Sequence, residues 1–597
     1  MPTNPKPIPD HIFGDLDQPE NSAPWLLTRN RGIHHHYCKI PLNPAPGDAI
    51  RLYATASDDQ PFTHVDLWYS TDEWHTQHQL PFAKADLTWD TLHWGWIQTW
   101  DLTLPPQTDG TMLRYKIGAH LACGDKWTFA DNQSRTRSSA THFSLWYAEN
   151  HFPTWAKHVI VYQVFVDRFH PGEGRSWLQT TNLMQPFGGT LRGVAEHLEY
   201  IKGMGFNAIW LTPIFASPSH HGYDISNYLK INPRFGSLAD FDALIARAHH
   251  LGMRVILDFV ANHCSNQHPA FIDALIDPAS PTHDWFTWKP WPEYKCYYHV
   301  REMPELDLHY GRPARQYLLG VAQYWLKRGV DGFRLDYAHG PEQDFWVDFQ
   351  RACRQVNPDC WTFGEIVQPA DRQASFAGGI DGSLDFLLCQ ALRLTFAQQT
   401  WHLSRLAGFL QAHLHYYPEG FSLPAFIDNH DMNRFLFAAH EDMRLLKMAL
   451  LLLYFLPGPP VVYYGTEVGL SQNRSIHDRG AHGFDEARLP MDWGNPTHGS
   501  LSDLLAKLAE IRTGFGDGEI HVRHCDEESM ILQRGEGARA QWLLLNRSDQ
   551  ELELSLAELG STGWVDGLTG KEITLMDEHL SLSMPAKTGI LLIKSQG

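Results

Sequence analysis

The chain has 597 residues, of which 43 % are apolar and 12 % aromatic, and a formal charge of −20. That length exceeds what one hydrophobic core can serve and calls for about two to four domains. An acidic chain without a Lys/Arg stripe lacks the electrostatic footprint of a nucleic-acid or anionic-lipid binder, so no nucleic-acid or membrane partner is expected.

Residues 1–32 are rich in Pro, Asn and Asp and read as an irregular lead-in. From 33 to 150 the pattern is short and strand-like: HHHYCKIPL, AIRLYAT, THVDLWYS, WGWIQTWDLTLP and TMLRYKIGAHL, with turn formers between them. This predicts an antiparallel β-sandwich. Its tryptophans, among them Trp68, Trp94, Trp96 and Trp127, suit a core, a carbohydrate platform or a wall against a second subunit. No basic segment followed by an apolar run opens the chain, and no 18-residue apolar stretch occurs. The eight cysteines form no CxxC pair. A cytoplasmic location is the expectation.

From 151 the grammar changes. HVIVYQVF is a continuous apolar run, as a strand covered on both faces requires. LRGVAEHLEYIKGMG has helical spacing and ends in glycine, and FNAIWLTPIF is the next buried run. The alternation continues through strand candidates starting near 160, 206, 254, 330, 361, 383, 424 and 461. Eight strand–helix units predict an α/β fold, a (β/α)₈ TIM barrel, over 151–263 and 313–512. The stretch 264–312 interrupts it after the third strand. It reads as an inserted subdomain, whose Trp285, Trp288, Trp291, Tyr294, Tyr297 and Tyr298 either face the barrel mouth or form their own small core. Residues 513–597 return to short strands and predict a C-terminal β-sandwich.

Barrel enzymes carry their chemistry at the carboxyl ends of the strands. Those ends hold Asp258, Asn262 and His263 after the third strand, Arg334, Asp336 and His339 at the fourth and Glu365 at the fifth. Asp428, Asn429, His430 and Asp431 follow the seventh. Two carboxylates on adjacent strand ends, Asp336 and Glu365, are what glycoside hydrolysis needs: one attacks the anomeric carbon, the other moves the proton. Arg334, two residues before Asp336, points to the same side and holds it ionised. Asp431 can grip neighbouring sugar hydroxyls.

DFVANH at 258–263, GFRLDYAHG at 332–340, FGEI at 363–366 and FIDNHD at 426–431 resemble the four motifs of the α-amylase superfamily of glycoside hydrolases. HGYDISNY, MPELDL and GTEVG resemble its auxiliary motifs. The resemblance implies Asp336 as nucleophile, Glu365 as acid/base and Asp431 as stabiliser of the distorted sugar. It implies His263, His430 and Arg334 as sugar or site contacts, Tyr223 as a stacking platform, His339 as a contact beyond the cut, and Asp258 and Asn262 as structural support.

The N-terminal sandwich together with FGGTLRGVAEHLEYI and NHC looks like the cyclomaltodextrinase, maltogenic amylase and neopullulanase group. That similarity implies α-glucan oligosaccharides as substrates and a homodimer through the N-terminal domain. The chain departs from the group at Glu305, at His339–Gly340 and at Val367, all near the expected cleft. HGYDISNY also resembles the oligo-1,6-glucosidases, in which the residue matching Asp224 grips a terminal sugar. An exo-acting α-glucosidase, a glucanotransferase and an inactive binding scaffold are the alternatives. Relatives often hold calcium after the first barrel strand, but RFHPGEGRSWLQTTN offers one acid, Glu173. No cofactor and no essential metal are expected; calcium can bind but is not required.

Overall fold

The computed structural model describes residues 32–594 apart from the segments 58–61, 91–94, 125, 150–151, 495–497, 516–517, 538–539, 557–562 and 574–579. The lead-in, save Gly32, and Trp94 lie outside the described residues.

Six parallel strands form the regular part of the barrel: Val161–Val164, Ala208–Leu211, Arg254–Val260, Gly332–Asp336, Trp361–Gly364 and Val461–Tyr463. All but Arg254 among their residues are buried, which explains the unbroken apolar runs. The ring is completed by single bridges, Gly364 to Ser383, Gly382 to Ser422 and Ala425 to Pro460. The strands expected near 383 and 424 thus shrink to bridge residues. At the first, Asp385 caps the helix Phe386–Leu392 by accepting the Leu388 N–H, so the chain turns helical at once. At the second, Pro424 has no N–H to give the ladder.

Successive residues of each strand face opposite sides. Val161, Ala208, Trp210, Ile256, Trp361 and Phe363 pack together inside the barrel. Tyr162, Val164, Ile209, Leu211, Val255 and Leu257 face the surrounding helices, which supply the main core. Gly332 is required by this closeness: a Cβ there would lie 2.4 Å from the Trp361 carbonyl oxygen.

The N-terminal domain consists of two antiparallel sheets. One contains Ile50–Ser57, Gly95–Leu104 and Ala83–Asp90; the other contains Phe143–Trp146, Met112–Leu121 and Phe62–Ser70. The single strand read over HHHYCKIPL is broken into Ile33–His34 and Lys39–Ile40. His36 and Tyr37 between them have φ of 46° and 54°, a left-handed turn no strand accommodates. A six-stranded sheet and a two-stranded sheet form the C-terminal domain.

The N-terminal domain is locked onto the barrel by buried charge. Arg114 reaches Glu73 at 2.7 Å and Asp348 at 2.9 Å, and Arg315 reaches Asp348 at 2.6 Å and Asp344 at 3.0 Å. Burial opposes ionisation of Asp348, but the two guanidiniums hold its carboxyl below the usual range. Breaking a buried pair strands its partners. Asp348→Ala is therefore expected to destabilise the fold by about 3–5 kcal/mol, read as a lowered denaturation midpoint. A loss below about 1 kcal/mol would show that Asp348 adds nothing beyond Glu73 and Asp344.

Candidate active site

The two-residue period that fills the barrel interior also aims the polar residues. Gln163 follows Val161, Asp258 follows Ile256, and Arg334 and Asp336 follow Gly332, all on the inward face. Asp258 and Arg334 are direct partners across the third and fourth strands, as are Val260 and Asp336. Glu365 comes immediately after the fifth strand, its N–H bonded to the Leu335 carbonyl.

Arg334 lies at the centre, wholly buried. Its Nη1 donates to Asp258 Oδ1 at 2.7 Å and to Asp336 Oδ1 at 2.8 Å. Its Nη2 is 2.9 Å from Glu365 Oε2, which also accepts the Tyr337 N–H at 3.0 Å. Burial pushes the Asp336 carboxyl well above its ordinary range; Arg334 pulls it back, and the carboxylates of Glu365, Asp258 and Asp431 push it further up. Burial likewise raises Asp258 against the pull of Arg334.

Around this centre runs a hydrogen-bonded ring. Tyr223 Oη donates to Asp258 Oδ2 at 3.0 Å and meets His430 Nε2 at 2.5 Å. The Tyr223 and His430 rings stack 5.4 Å apart and within 3° of parallel. The Gln163 amide meets His430 Nδ1 at 2.7 Å. His430 Nε2 is also 3.0 Å from Asp431 Oδ2, while Arg488 Nη2 donates to Asp431 Oδ1 at 2.7 Å. Burial opposes the charge on Asp431, yet His430 and Arg488 hold its carboxyl well below the usual range. Asp485 orients Arg488 and in turn meets His220 Nε2 at 2.8 Å.

His263 is buried beside Tyr297, with ring centroids 4.6 Å apart, and burial lowers its pKa to about 3, so the imidazole is neutral. Asn262 lies beneath the loop after the fourth strand: a Cβ on Gly340 would sit 2.3 Å from its Oδ1. The glycine at this departure from the group's pattern is thus a packing requirement. His339 lies against the Tyr337 ring at 4.3 Å, in a cleft of about 410 Å³ between barrel and N-terminal domain. Asp224 is buried, and its Oδ1 accepts the hydroxyls of Ser217 and Ser219.

The inserted subdomain contains the helix Pro269–Ile276, which its sequence did not reveal. Its aromatic residues divide. Trp288 and Tyr294 pack on Phe271, Trp288 also on Phe286, and Trp285 on Tyr317 of the barrel helix Pro313–Lys327, so these rings join the main core. Trp291 lies outward, 41 % exposed. Tyr297 and Tyr298 face the mouth, 5.0 and 5.7 Å from the Tyr337 ring.

Sequence reasoning missed Arg488, Gln163, Asp485 and Tyr337. Gln163 had a signal, since it is the one polar residue inside VYQV. Arg488 had none, lying in a loop 25 residues beyond the last barrel strand.

The α-amylase catalytic-domain model matches residues 163–510. The chain is 34 % identical to "Alpha-amylase 2" of Dictyoglomus thermophilum over 64 % of its own length and 69 % of that protein. It is 31 % identical to "Neopullulanase 2" of Thermoactinomyces vulgaris over 74 % and 78 % of the two chains. A solved cyclomaltodextrinase shares the fold, with a TM-score of 0.69 at 23 % identity over 94 % of this chain and 99 % of that one. With motifs, barrel and carboxylate cluster in agreement, the chain belongs to the α-amylase family of glycoside hydrolases.

Proposed function

We propose a retaining hydrolase of α-1,4-glucosidic bonds, and secondarily of α-1,6 bonds, in cyclodextrins, short maltooligosaccharides and pullulan-like glucans. The observation that carries this reading is the placement of Asp336 and Glu365 on the two Nη atoms of one buried guanidinium. Asp336 attacks the anomeric carbon as Glu365 gives its proton to the departing glycosidic oxygen. Glu365 then takes a proton from water, which attacks the same carbon and releases Asp336. If a second sugar takes the place of water, the same steps transfer the glucosyl unit.

Asp431, held ionised by His430 and Arg488, accepts hydrogen bonds from adjacent sugar hydroxyls. The Tyr223 ring offers an apolar face to the pyranose. His263 and His430 contact that same sugar, and His339 the one beyond the cut. Asp258 and Asn262 support the site from below. The Ser217 and Ser219 hydroxyls already occupy Asp224 Oδ1, which favours this reading over an exo-acting oligo-1,6-glucosidase with Asp224 as its grip. Intact carboxylates speak against an inactive scaffold.

A preference for small glucans rests on Tyr297 and Tyr298 at the mouth, since the subdomain's tryptophans do not face it. A homodimer through the N-terminal domain belongs to the same reading. Its support is the exposed edge strand Ala83–Asp90, whose Trp89 is 43 % exposed beside Trp96 of the neighbouring strand at 44 %, and its test is the molar mass in solution. No described helix is long and apolar enough to cross a membrane. The exposed free thiols Cys38, Cys123 and Cys525 suit a reducing cytoplasm, which cell fractionation tests.

Asp336→Asn should lower kcat by about 10⁴-fold or more while maltooligosaccharide binding stays measurable by calorimetry. Unchanged turnover removes Asp336 from the nucleophile role. The acid limb of kcat/KM follows the carboxyl that must be ionised, and burial with like charges raises that of Asp336. Asp258→Asn deletes one like charge and leaves Arg334 more fully to Asp336. Both effects lower the Asp336 pKa, so the limb should move to lower pH; a shift upward contradicts the electrostatic account. On a panel of cyclodextrins, maltotriose, panose, isomaltose, pullulan and soluble starch, kcat/KM should be highest for the cyclic and short α-1,4 substrates. Starch as the equal of the best oligomer ends the size preference, and isomaltose as the best substrate restores the oligo-1,6-glucosidase reading.

A further inference from the structure

The run His34-His35-His36 leaves the first short strand of the N-terminal domain and turns back on itself through the left-handed His36 and Tyr37. Facing the turn is Asp131, also left-handed with φ 67°, just past the strand Trp127–Phe129. The Asp131 carboxylate accepts the His35 N–H at 2.8 Å and the His36 N–H at 3.1 Å. It is thereby fixed beside two imidazoles: Oδ1 lies 3.8 Å from His34 Nδ1 and 3.3 Å from His36 Nδ1. The two rings stack with centroids 4.9 Å apart. His36 Nε2 is buried and has no hydrogen-bond partner among the described residues.

The middle histidine does different work. His35 Nδ1 meets the Tyr53 carbonyl at 2.6 Å and its Nε2 meets Tyr115 Oη at 2.8 Å, so both its nitrogens are engaged within the sandwich. His34, His36 and Asp131 each present one donor atom, and these atoms all lie within 4.8 Å of one another. His36 and Asp131 also line the cleft that His339 and Glu342 close from the barrel side, which gives an ion a path in and a water a place to complete its coordination.

We propose that His34, His36 and Asp131 form a binding site for a divalent transition-metal ion of the zinc class. Two imidazoles and a carboxylate are the donor set of a borderline-soft divalent ion, and they leave one tetrahedral position for water. Bonds of about 2.0–2.1 Å place tetrahedral donors roughly 3.3 Å apart, so binding draws the two rings slightly inward. The backbone N–H groups of His35 and His36 hold the carboxylate in the orientation the ion needs. The bound ion ties the strand Ile33–His34 to the loop at 131, a staple within the N-terminal domain and separate from the carboxylates of the barrel.

The test uses the full chain, stripped with a chelator and dialysed, then titrated with ZnCl₂ by calorimetry and with CoCl₂ by visible absorption. One ion per chain is expected, with the intense d–d bands of a four-coordinate cobalt site and a rise in the unfolding temperature. His36→Gln and Asp131→Asn, each checked for a native circular-dichroism spectrum, should each weaken binding by at least about 100-fold. Both should leave hydrolysis by the metal-free protein unchanged. Absence of a stoichiometric site in the parent protein overturns the proposal. So does binding of equal affinity and the same cobalt spectrum in both variants, which places the ion elsewhere among the chain's 35 histidines.

Discussion

A single guanidinium organises the barrel mouth. Arg334 has no access to water, and a buried charge is tolerated only when it is paired. Asp258, Asp336 and Glu365 supply that pairing from three consecutive strand ends. Three carboxyls against one cation leave an excess of negative charge, so burial and mutual repulsion raise Asp336 even while Arg334 draws it down. Arg334 is thus the group that favours the ionised Asp336 carboxylate against burial and like charge, the form in which a carboxyl attacks. The Trp210 ring, 5.3 Å from the guanidinium, closes its flank, and Tyr223 covers another at 5.9 Å.

The second carboxylate environment is built oppositely. Asp431 faces two basic groups, His430 and Arg488, and its carboxyl is held low. The two carboxyls are thus shifted in opposite directions by what surrounds them, Asp336 upward and Asp431 downward. Each of the two basic groups is itself held from a distance. Gln163 fixes His430 from the first strand, and Asp485 with His220 steadies Arg488 from the loops that follow the last and the second barrel strands. Outside the barrel, the same use of buried charge at Arg114, Asp348 and Arg315 fixes the N-terminal domain beside the cleft that contains His339.

What could be read from the sequence follows from how locally each feature is encoded. Barrel strands covered on both faces become apolar runs, and Asp258, Arg334 and Asp336 interrupt those runs at the inward period, so both strands and candidate residues were visible. The sixth and seventh strands were visible as segments but not in extent, because the Asp385 cap and Pro424 decide their length through single backbone groups. The aromatic residues of 264–312 could be counted but not aimed: whether Trp288 or Tyr297 faces the mouth depends on Phe271 and the bridges His263–Glu305 and Phe286–Leu306, which are tertiary facts. Arg488 was invisible because its partner lies 57 residues earlier and no periodicity marks a loop arginine.

That last contact also sets when the site can exist. Asp336 and Glu365 leave the ribosome long before Arg488, and without it Asp431 lacks the guanidinium that steadies it. At about 5–20 residues per second, the interval between residues 431 and 488 is roughly 3–11 s. During that time Asp431 is present while the guanidinium that neutralises it is still unsynthesised. The barrel therefore matures chemically at its carboxyl-terminal end, and a chain truncated before the loop at 488 is a half-built charge network as well as an unclosed fold.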